Sequence, residues 1–263
     1  MNPREQFTTA VADYVAARPD YPAVLLARIV ERSPGSQIVD LGAGTGISSR
    51  AFARAGAQRF GSRVRVTAVE PNAAMRTAGE EDPATRAFPP GTVRFEPGDA
   101  ESTGLPDCSA DLVVGCQAFF WFDLDRTLPE IDRILGVGGV AAAIWNLRAS
   151  TPFLDGWEAM LRTWSTTYGA LRSAEQTIEE ISNARVTERI AVPNTQRFTL
   201  AGLRQRAWSS SYVQHGVADA EGFDRALVRL FEEHAVGGGV DFDYECVAVV
   251  WGASPGAGQT TPP

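Results

Sequence analysis

The stretch Val39–Arg50, VDLGAGTGISSR, constrains the fold more than any other part of the chain. An apolar run ends in an acid, three glycines alternate with small residues, and a helical pattern begins. A glycine turn after the first strand of an α/β sheet commonly holds a dinucleotide's pyrophosphate at the N-terminus of the next helix. That use requires G-x-G-x-x-G. Here Gly42, Gly44 and Gly46 give G-x-G-x-G, and Ile47 stands where the third glycine is needed. Asp40, just before the turn, would repel a pyrophosphate and suits an ammonium group instead.

The surrounding sequence alternates short β-branched runs with helical patterns. Strands are expected at Gln37–Leu41, Val64–Glu70, Thr92–Pro97, Ala110–Gln117 and Gly139–Asn146, most of them apolar throughout, as parallel strands covered on both faces are. Helices are expected near Ile47–Gly56, Ala73–Glu80 and Leu124–Leu135, the last stopped by GVGG. This spacing implies right-handed crossovers and a doubly wound parallel sheet. Phe153–Leu171 carries a broad apolar face and is expected to be one inserted helix over the sheet's carboxyl edge. Ser182–Phe198 reads weakly, with a strand near Thr195–Phe198. Helices follow near Leu200–Trp208 and Ala220–Ala235, then a last strand, Tyr244–Trp251. Residues 1–253 are expected to form one domain, with a helical lid at 1–35, an insert at 150–182 and a disordered tail at 254–263.

Composition narrows the chemistry. Lysine is absent from the 263 residues, so Schiff-base chemistry and a phosphate-loop lysine are excluded. A net charge of −8 argues against nucleic acid as the main partner and for a small substrate. Cys108, Cys116 and Cys246 are scattered, and the two histidines, His215 and His234, lie in unrelated segments, so no metal site is expected. No run approaches the length of a membrane span and no signal-peptide layout is seen, so a cytoplasmic protein, monomer or homodimer, is expected.

Two further acids follow the glycine turn. Glu70 ends the second strand in AVEPN, where a carboxylate can accept from both ribose hydroxyls, as it does in nicotinamide sites too. Asp99, in GDAESTGLP, can accept from an adenine amino group while Ala100 offers its backbone N–H. Acids at three successive strand ends suit a cationic nucleoside amino acid.

Over roughly Gln37–Asn146 the chain resembles the class I S-adenosylmethionine-dependent methyltransferases. VDLGAGTG, VEPN, GDAESTGLPDCSADLVV and LPEIDRILGVGG are similar to the family's successive motifs, in order and at its spacing. AVADYVAARPDYP, QAFFWFD and SSSY are similar to segments of small-molecule bacterial members akin to trans-aconitate methyltransferase. The resemblance implies a Rossmann-like seven-stranded sheet, mostly parallel with an antiparallel last strand. It implies S-adenosylmethionine as cofactor, S-adenosylhomocysteine as product, and a role in bacterial specialised metabolism. Asp40, Gly42, Ala43 and Gly44 would hold the methionine end. Glu70 would hold the ribose and Asp99 with Ala100 the adenine, with Pro71 and Met75 as further cofactor-binding residues. Gln117 would lie near the transferred methyl.

On the acceptor side the candidates are Tyr14, Arg18 and Tyr21 as a lid, Phe119, Phe120 and Trp121 as an aromatic wall, and Trp145 and Asn146 at the end of strand five. Tyr14, Gln117, Trp121 and Tyr212 are the candidates for a catalytic role. The rings of AFFWF either face the sulfonium or pack a helix on the sheet, and Phe122 is expected to do the latter. Phe120 stands where relatives commonly have histidine, which leaves no obvious imidazole base and favours an anionic or enolisable acceptor. Three readings remain beside methyl transfer: a cyclase or aminocarboxypropyl transfer with the same cofactor, a nicotinamide-dependent oxidoreductase, and a non-catalytic S-adenosylmethionine-binding protein.

Overall fold

The structure, a computed structural model, describes residues 19–169 and 173–253. The elements run in chain order as α1 (Ala23–Val30), β1 (Gln37–Leu41), α2 (Ile47–Phe60), β2 (Arg65–Val69), α3 (Ala73–Glu81), α4 (Pro83–Arg86), β3 (Val93–Glu96), β4 (Ala110–Cys116), α5 (Leu124–Ile134) and β5 (Leu135–Arg148). Then come α6 (Pro152–Trp164), α7 (Ala174–Ala184), β6 (Glu188–Phe198), α8 (Leu200–Trp208), α9 (Ser211–Gly216), α10 (Ala220–His234) and β7 (Val240–Gly252). The seven strands form one sheet in the order β3-β2-β1-β4-β5-β7-β6. β1 to β5 are mutually parallel, and β7 runs antiparallel between β5 and β6. The architecture is the Rossmann-like one expected, with its last strand reversed.

Alternation along each parallel strand sends successive side chains to opposite faces, and both faces are covered. Ile38, Val66, Leu112, Val114 and Ile144 pack under Leu25, Ile29 and Val30 of α1 and Phe52 of α2. Val39, Leu41, Val113, Ala143 and Trp145 pack under Leu128, Ile131 and Ile134 of α5 and Ile181 of α7. In α5 the buried residues 124, 127, 128, 131 and 134 make a single stripe at helical spacing. Helix starts follow side-chain capping: Asn72 accepts from the N–H groups of Ala74 and Met75, Asp123 from Asp125, and Ser173 forms a reciprocal box with Gln176.

Four elements differ from the sequence expectation. Helix α5 ends at Ile134 because Leu135 is already extended and pairs with Ala110, so GVGG lies inside β5 and is no terminator. The apolar stretch from Phe153 is not one helix: α6 stops at Trp164, and Ser165 turns to an extended conformation and bridges Val217. A separate helix, α7, follows. β6 is eleven residues long, not four, and pairs with β7 along its whole length. As an edge strand it buries few residues and tolerates Pro193, which hides its strand character in the sequence.

The helices outside the parallel region build a core of their own. Phe153, Trp157 and Leu161 of α6, Leu203 of α8, and Phe223 and Leu227 of α10 close on Phe242 and Tyr244 of β7. Among the described residues no helix is long and apolar enough to cross a membrane.

Candidate functional site

The carboxyl ends of β1, β2 and β4 and the loop after β3 bring the predicted cofactor residues to one edge of the sheet. Their geometry begins with how the glycine turn is held. The N–H groups of Gly42 and Ala43 both donate to the carbonyl of Val69, at 2.9 and 3.1 Å. The N–H of Gly44 donates to Glu70 Oε2 at 2.9 Å. The end of β2 therefore takes up the donors that a pyrophosphate would need. Gly46 has φ +80° and precedes α2; a side chain there would strike the Phe95 ring at 2.6 Å. A Cβ on Gly44, by contrast, would meet nothing within 4 Å.

Asp40 is fully buried. Its Oδ2 accepts from the hydroxyls of Ser48 and Ser49, both at 2.6 Å, and Oδ1 has no partner among the described residues. Burial pushes its carboxyl up to about 6, against the pull of the two serines and with a further push from Glu70. Glu70 accepts from Asn72 N–H on Oε1, at 2.9 Å, and is raised above the ordinary carboxylate range, first by burial, then in part by Asp99. Two of its lone-pair sites remain for further donors. Arg76 donates to the Glu70 carbonyl at 2.7 Å and steadies the strand end. Asp40, Glu70 and Asp99 thus form an electrostatically coupled row of acids.

Asp99 and Ser102 close a small bridge, with Ala100 buried beside it. Pro71 is exposed just before α3, and Met75 is buried on its first turn. Gln117 follows β4 with φ +55°, a left-handed conformation uncommon for a residue with a side chain. Its N–H donates to the Ile144 carbonyl at 2.8 Å and its Nε2 to the Asn146 carbonyl at 3.3 Å, so it ties β4 to β5. Such strain at a strand end is the kind that collects at functional sites.

The acceptor-side expectations divide. Tyr14 and Arg18 lie outside the described residues. Tyr21 is half-buried, and burial holds the nearby Cys116 thiol well above its usual range. Phe120 and Trp121 are half-buried on a short turn of 3-10 helix, with rings 5.5 Å apart. Phe119 and Trp145 must be corrected. Phe119 sits in the core among Phe122, Trp145 and Trp251, and Trp145 is 1% exposed beside it, so neither lines an open wall. The physical reason is parity: Trp145 points to the α5 face of β5, whereas Asn146 points to the other. Asn146 is buried, and its Oδ1 accepts from Asn194 Nδ2 at 3.0 Å. Tyr212 belongs to the helical core and stands edge-on to Tyr168 at 5.1 Å.

Several supporting residues escaped sequence reading. Ser48 and Ser49 hold Asp40, and their signal was present in GISSR, one turn past the glycines. Arg50 is buried, donates to the Thr45 carbonyl at 2.8 Å and pairs with Asp82 at 3.1 Å, fastening the glycine turn to α4. Nothing in its immediate sequence announces that reach.

The same segment is similar to known proteins. A family profile described as a methyltransferase domain matches residues 39–143. An uncharacterized methyltransferase of Mycobacterium tuberculosis is 34% identical over 142 residues, 54% of this chain and 52% of that protein. Over this segment the chain is similar to methyltransferase domains, and it resembles the class I S-adenosylmethionine-dependent methyltransferases. An uncharacterized methyltransferase of Schizosaccharomyces pombe is likewise 34% identical over 154 residues, 57% of this chain and 56% of that one. The chain spans about half the length of the curated relatives it matches. A protein of Anaeromyxobacter dehalogenans, proposed to be a type II methyltransferase, superposes with a TM-score of 0.65 at 21% identity. That alignment covers 91% of this chain and 99% of the other. The YcgJ protein of Bacillus subtilis does so with a TM-score of 0.55 at 17% identity, over 89% and 98%. At those identities the likeness is one of fold. S-adenosylmethionine is the cofactor that this resemblance implies. The residues present fit it: an unpartnered buried oxygen on Asp40, open space before Gly44, and unused acceptor sites on Glu70.

Proposed function

We propose that the protein transfers a methyl group from S-adenosylmethionine to a small-molecule acceptor and releases S-adenosylhomocysteine. One observation carries the reading: the N–H groups of Gly42, Ala43 and Gly44 are spent on Val69 and Glu70, beside three coupled acids. Such a turn has acceptors to offer and few donors, which suits an ammonium, ribose hydroxyls and an adenine amino group, and disfavours a nicotinamide dinucleotide.

Asp40, with Gly42, Ala43 and Gly44, would hold the amino-acid end of the cofactor. Glu70 would hold the ribose, flanked by Pro71 and Met75, and Asp99 with Ala100 the adenine. Gln117 would position the methionine end at the close of β4. The bound cofactor supplies an activated methyl on a sulfonium. The chain's own task is to bring the acceptor in line and to exclude water, for which orientation is worth about 7–11 kcal/mol. Phe120, Trp121 and Tyr21, all half-buried at this edge, would form part of that enclosure. An aromatic residue at Phe120 offers no proton acceptor, which supports an acceptor that arrives anionic or enolised.

Mass spectrometry after incubation with S-adenosylmethionine and an acceptor library tests the reading. S-adenosylhomocysteine with an acceptor heavier by one methylene is the expected result. Methylthioadenosine would point instead to cyclisation or aminocarboxypropyl transfer. Asp40→Ala, Glu70→Ala and Asp99→Ala should each weaken S-adenosylhomocysteine binding, and unchanged affinity in all three would displace the cofactor from this edge.

A further inference from the structure

The segment LPEIDRILGVGG places no side chain at the cofactor edge, yet the helix it helps to form, α5, reaches back to that edge. The buried stripe of α5 packs on the sheet. Beside that stripe Glu130 and Arg133, three residues apart, meet the loop that joins β3 to β4. Glu130 Oε1 accepts from both the N–H and the hydroxyl of Thr103, at 2.8 and 2.6 Å. The Thr103 hydroxyl oxygen in turn accepts from Leu105 N–H at 3.2 Å. Arg133 grips the carboxylate with two prongs, Nε on Oε2 and Nη2 on Oε1, both at 2.7 Å, and donates to Asp107 at 2.6 Å. Burial pushes the Glu130 carboxyl up, but the bonds from Arg133 and Thr103 outweigh it and bring it down to about 2. Glu130 is therefore ionised, and its bonds to Thr103 are charge-assisted.

Thr103 is 2% exposed and backs the turn that carries Asp99 and Ala100. A Cβ on Gly98 would stand 2.8 Å from the Thr103 carbonyl oxygen and 3.0 Å from Val69, so only glycine allows this close approach. The N–H groups of Asp99 and Ser102 donate to each other's carbonyls, at 3.3 and 3.2 Å, and close the turn. Glu101, within it, accepts from the N–H of Asp123, the residue that caps α5, at 3.0 Å. The helix thus holds the turn at two points, and the deeper one is the Glu130–Thr103 pair.

We propose that Glu130 is a positioning residue for base recognition: through Thr103 it fixes the turn that presents Asp99 and Ala100 to the cofactor's purine. This rests on the reading of S-adenosylmethionine as cofactor and deepens it. Adenine offers an amino donor and a ring acceptor, whereas hypoxanthine reverses both, so the placement of one carboxylate and one N–H decides between them. A turn displaced by about 1 Å loses that choice, while Asp40 and Glu70 would still hold the rest of the ligand.

The test is calorimetric titration of the full chain with S-adenosylhomocysteine and with its deaminated counterpart, S-inosylhomocysteine. The wild type should prefer the adenine form by at least about tenfold. Glu130→Ala should shrink that preference to within about threefold, chiefly by weakening the adenine form. Thr103→Val, which lacks the hydroxyl, should shrink it in part, whereas Thr103→Ser, which keeps it, should retain it. Ile131→Val lies buried on the same helix and should lower the melting temperature without changing the preference. If Glu130→Ala does not fold, Thr103→Val decides. A preference unchanged in both Glu130→Ala and Thr103→Val would overturn the proposal and leave the cofactor reading standing. So would a preference lost equally in Ile131→Val, or a wild type that binds both ligands alike. A wild type that binds neither overturns the cofactor reading, and this inference with it.

Discussion

At the scale of single residues, two side chains carry unusual free energy. Asp40 is raised from 3.8 to about 6, chiefly by burial, so the folded state holds its proton more tightly than the unfolded chain does. A raised carboxyl favours the fold below about pH 4, and the advantage is lost as pH rises through 6. At pH 8 the ionised form costs about 3 kcal/mol. Asp40→Asn should therefore raise the melting temperature at pH 8, with a gain that shrinks toward pH 4, while weakening S-adenosylhomocysteine binding. A gain equal at both pH values would mean that the charge is not the cause. Gln117 holds φ +55° without being glycine. Gln117→Gly should leave the unfolding free energy from urea titration within about 1 kcal/mol of wild type, whereas Gln117→Val should cost about 1–3 kcal/mol, because a β-branched residue fits that region badly. Both should lower kcat/KM if the side chain positions the cofactor.

At the scale of elements, α2 does more than follow the glycine turn. Ser48 and Ser49 on its first turn hold Asp40, and Arg50 fastens Thr45 to Asp82. Arg50→Met removes the buried partner of a pair whose other member, Asp82, is half-exposed, and leaves the Thr45 carbonyl unbonded, for which a loss of about 1–3 kcal/mol is expected. S-adenosylhomocysteine affinity should fall with it, since the turn loses its anchor; denaturant titration and calorimetry read the two effects separately. The sequence made the parallel elements legible because each is a nearly unbroken apolar run with its own helix. It concealed β6, whose edge position leaves its polar residues in solvent, and α7, whose capping box lies in a polar segment. It also merged α6 with the turns beyond Trp164, because Tyr168 continues the aromatic spacing although the chain has already turned.

For the molecule as a whole, one sheet carries two kinds of core. The parallel half is a sandwich of α1, α2 and α5 about the strands, and the helical half closes on the outer end of β7. Phe242 is fully buried there, with Phe153, Trp157 and Phe198 rings 5.0–5.3 Å away. Phe242→Ala should cost about 3–5 kcal/mol. Well below its melting temperature it should keep S-adenosylhomocysteine affinity within about twofold, since the cofactor residues pack in the other half. A parallel loss of cofactor affinity would show that the two halves act as one.

Sequence alone determined the alternation of strand and helix, the shape of the glycine turn and the acids at three strand ends, because these are local matters of periodicity and backbone freedom. It could not assign the donors of that turn, since Gly44 is bonded by a carboxylate 26 residues away. Nor could it separate Phe119 and Trp145, turned into the core, from Asn146 beside them. Only the assembled sheet sets Asn194, Tyr244 and Arg148 in one row, because the pairing of β5, β7 and β6 is a choice made between distant segments by the surfaces they bury.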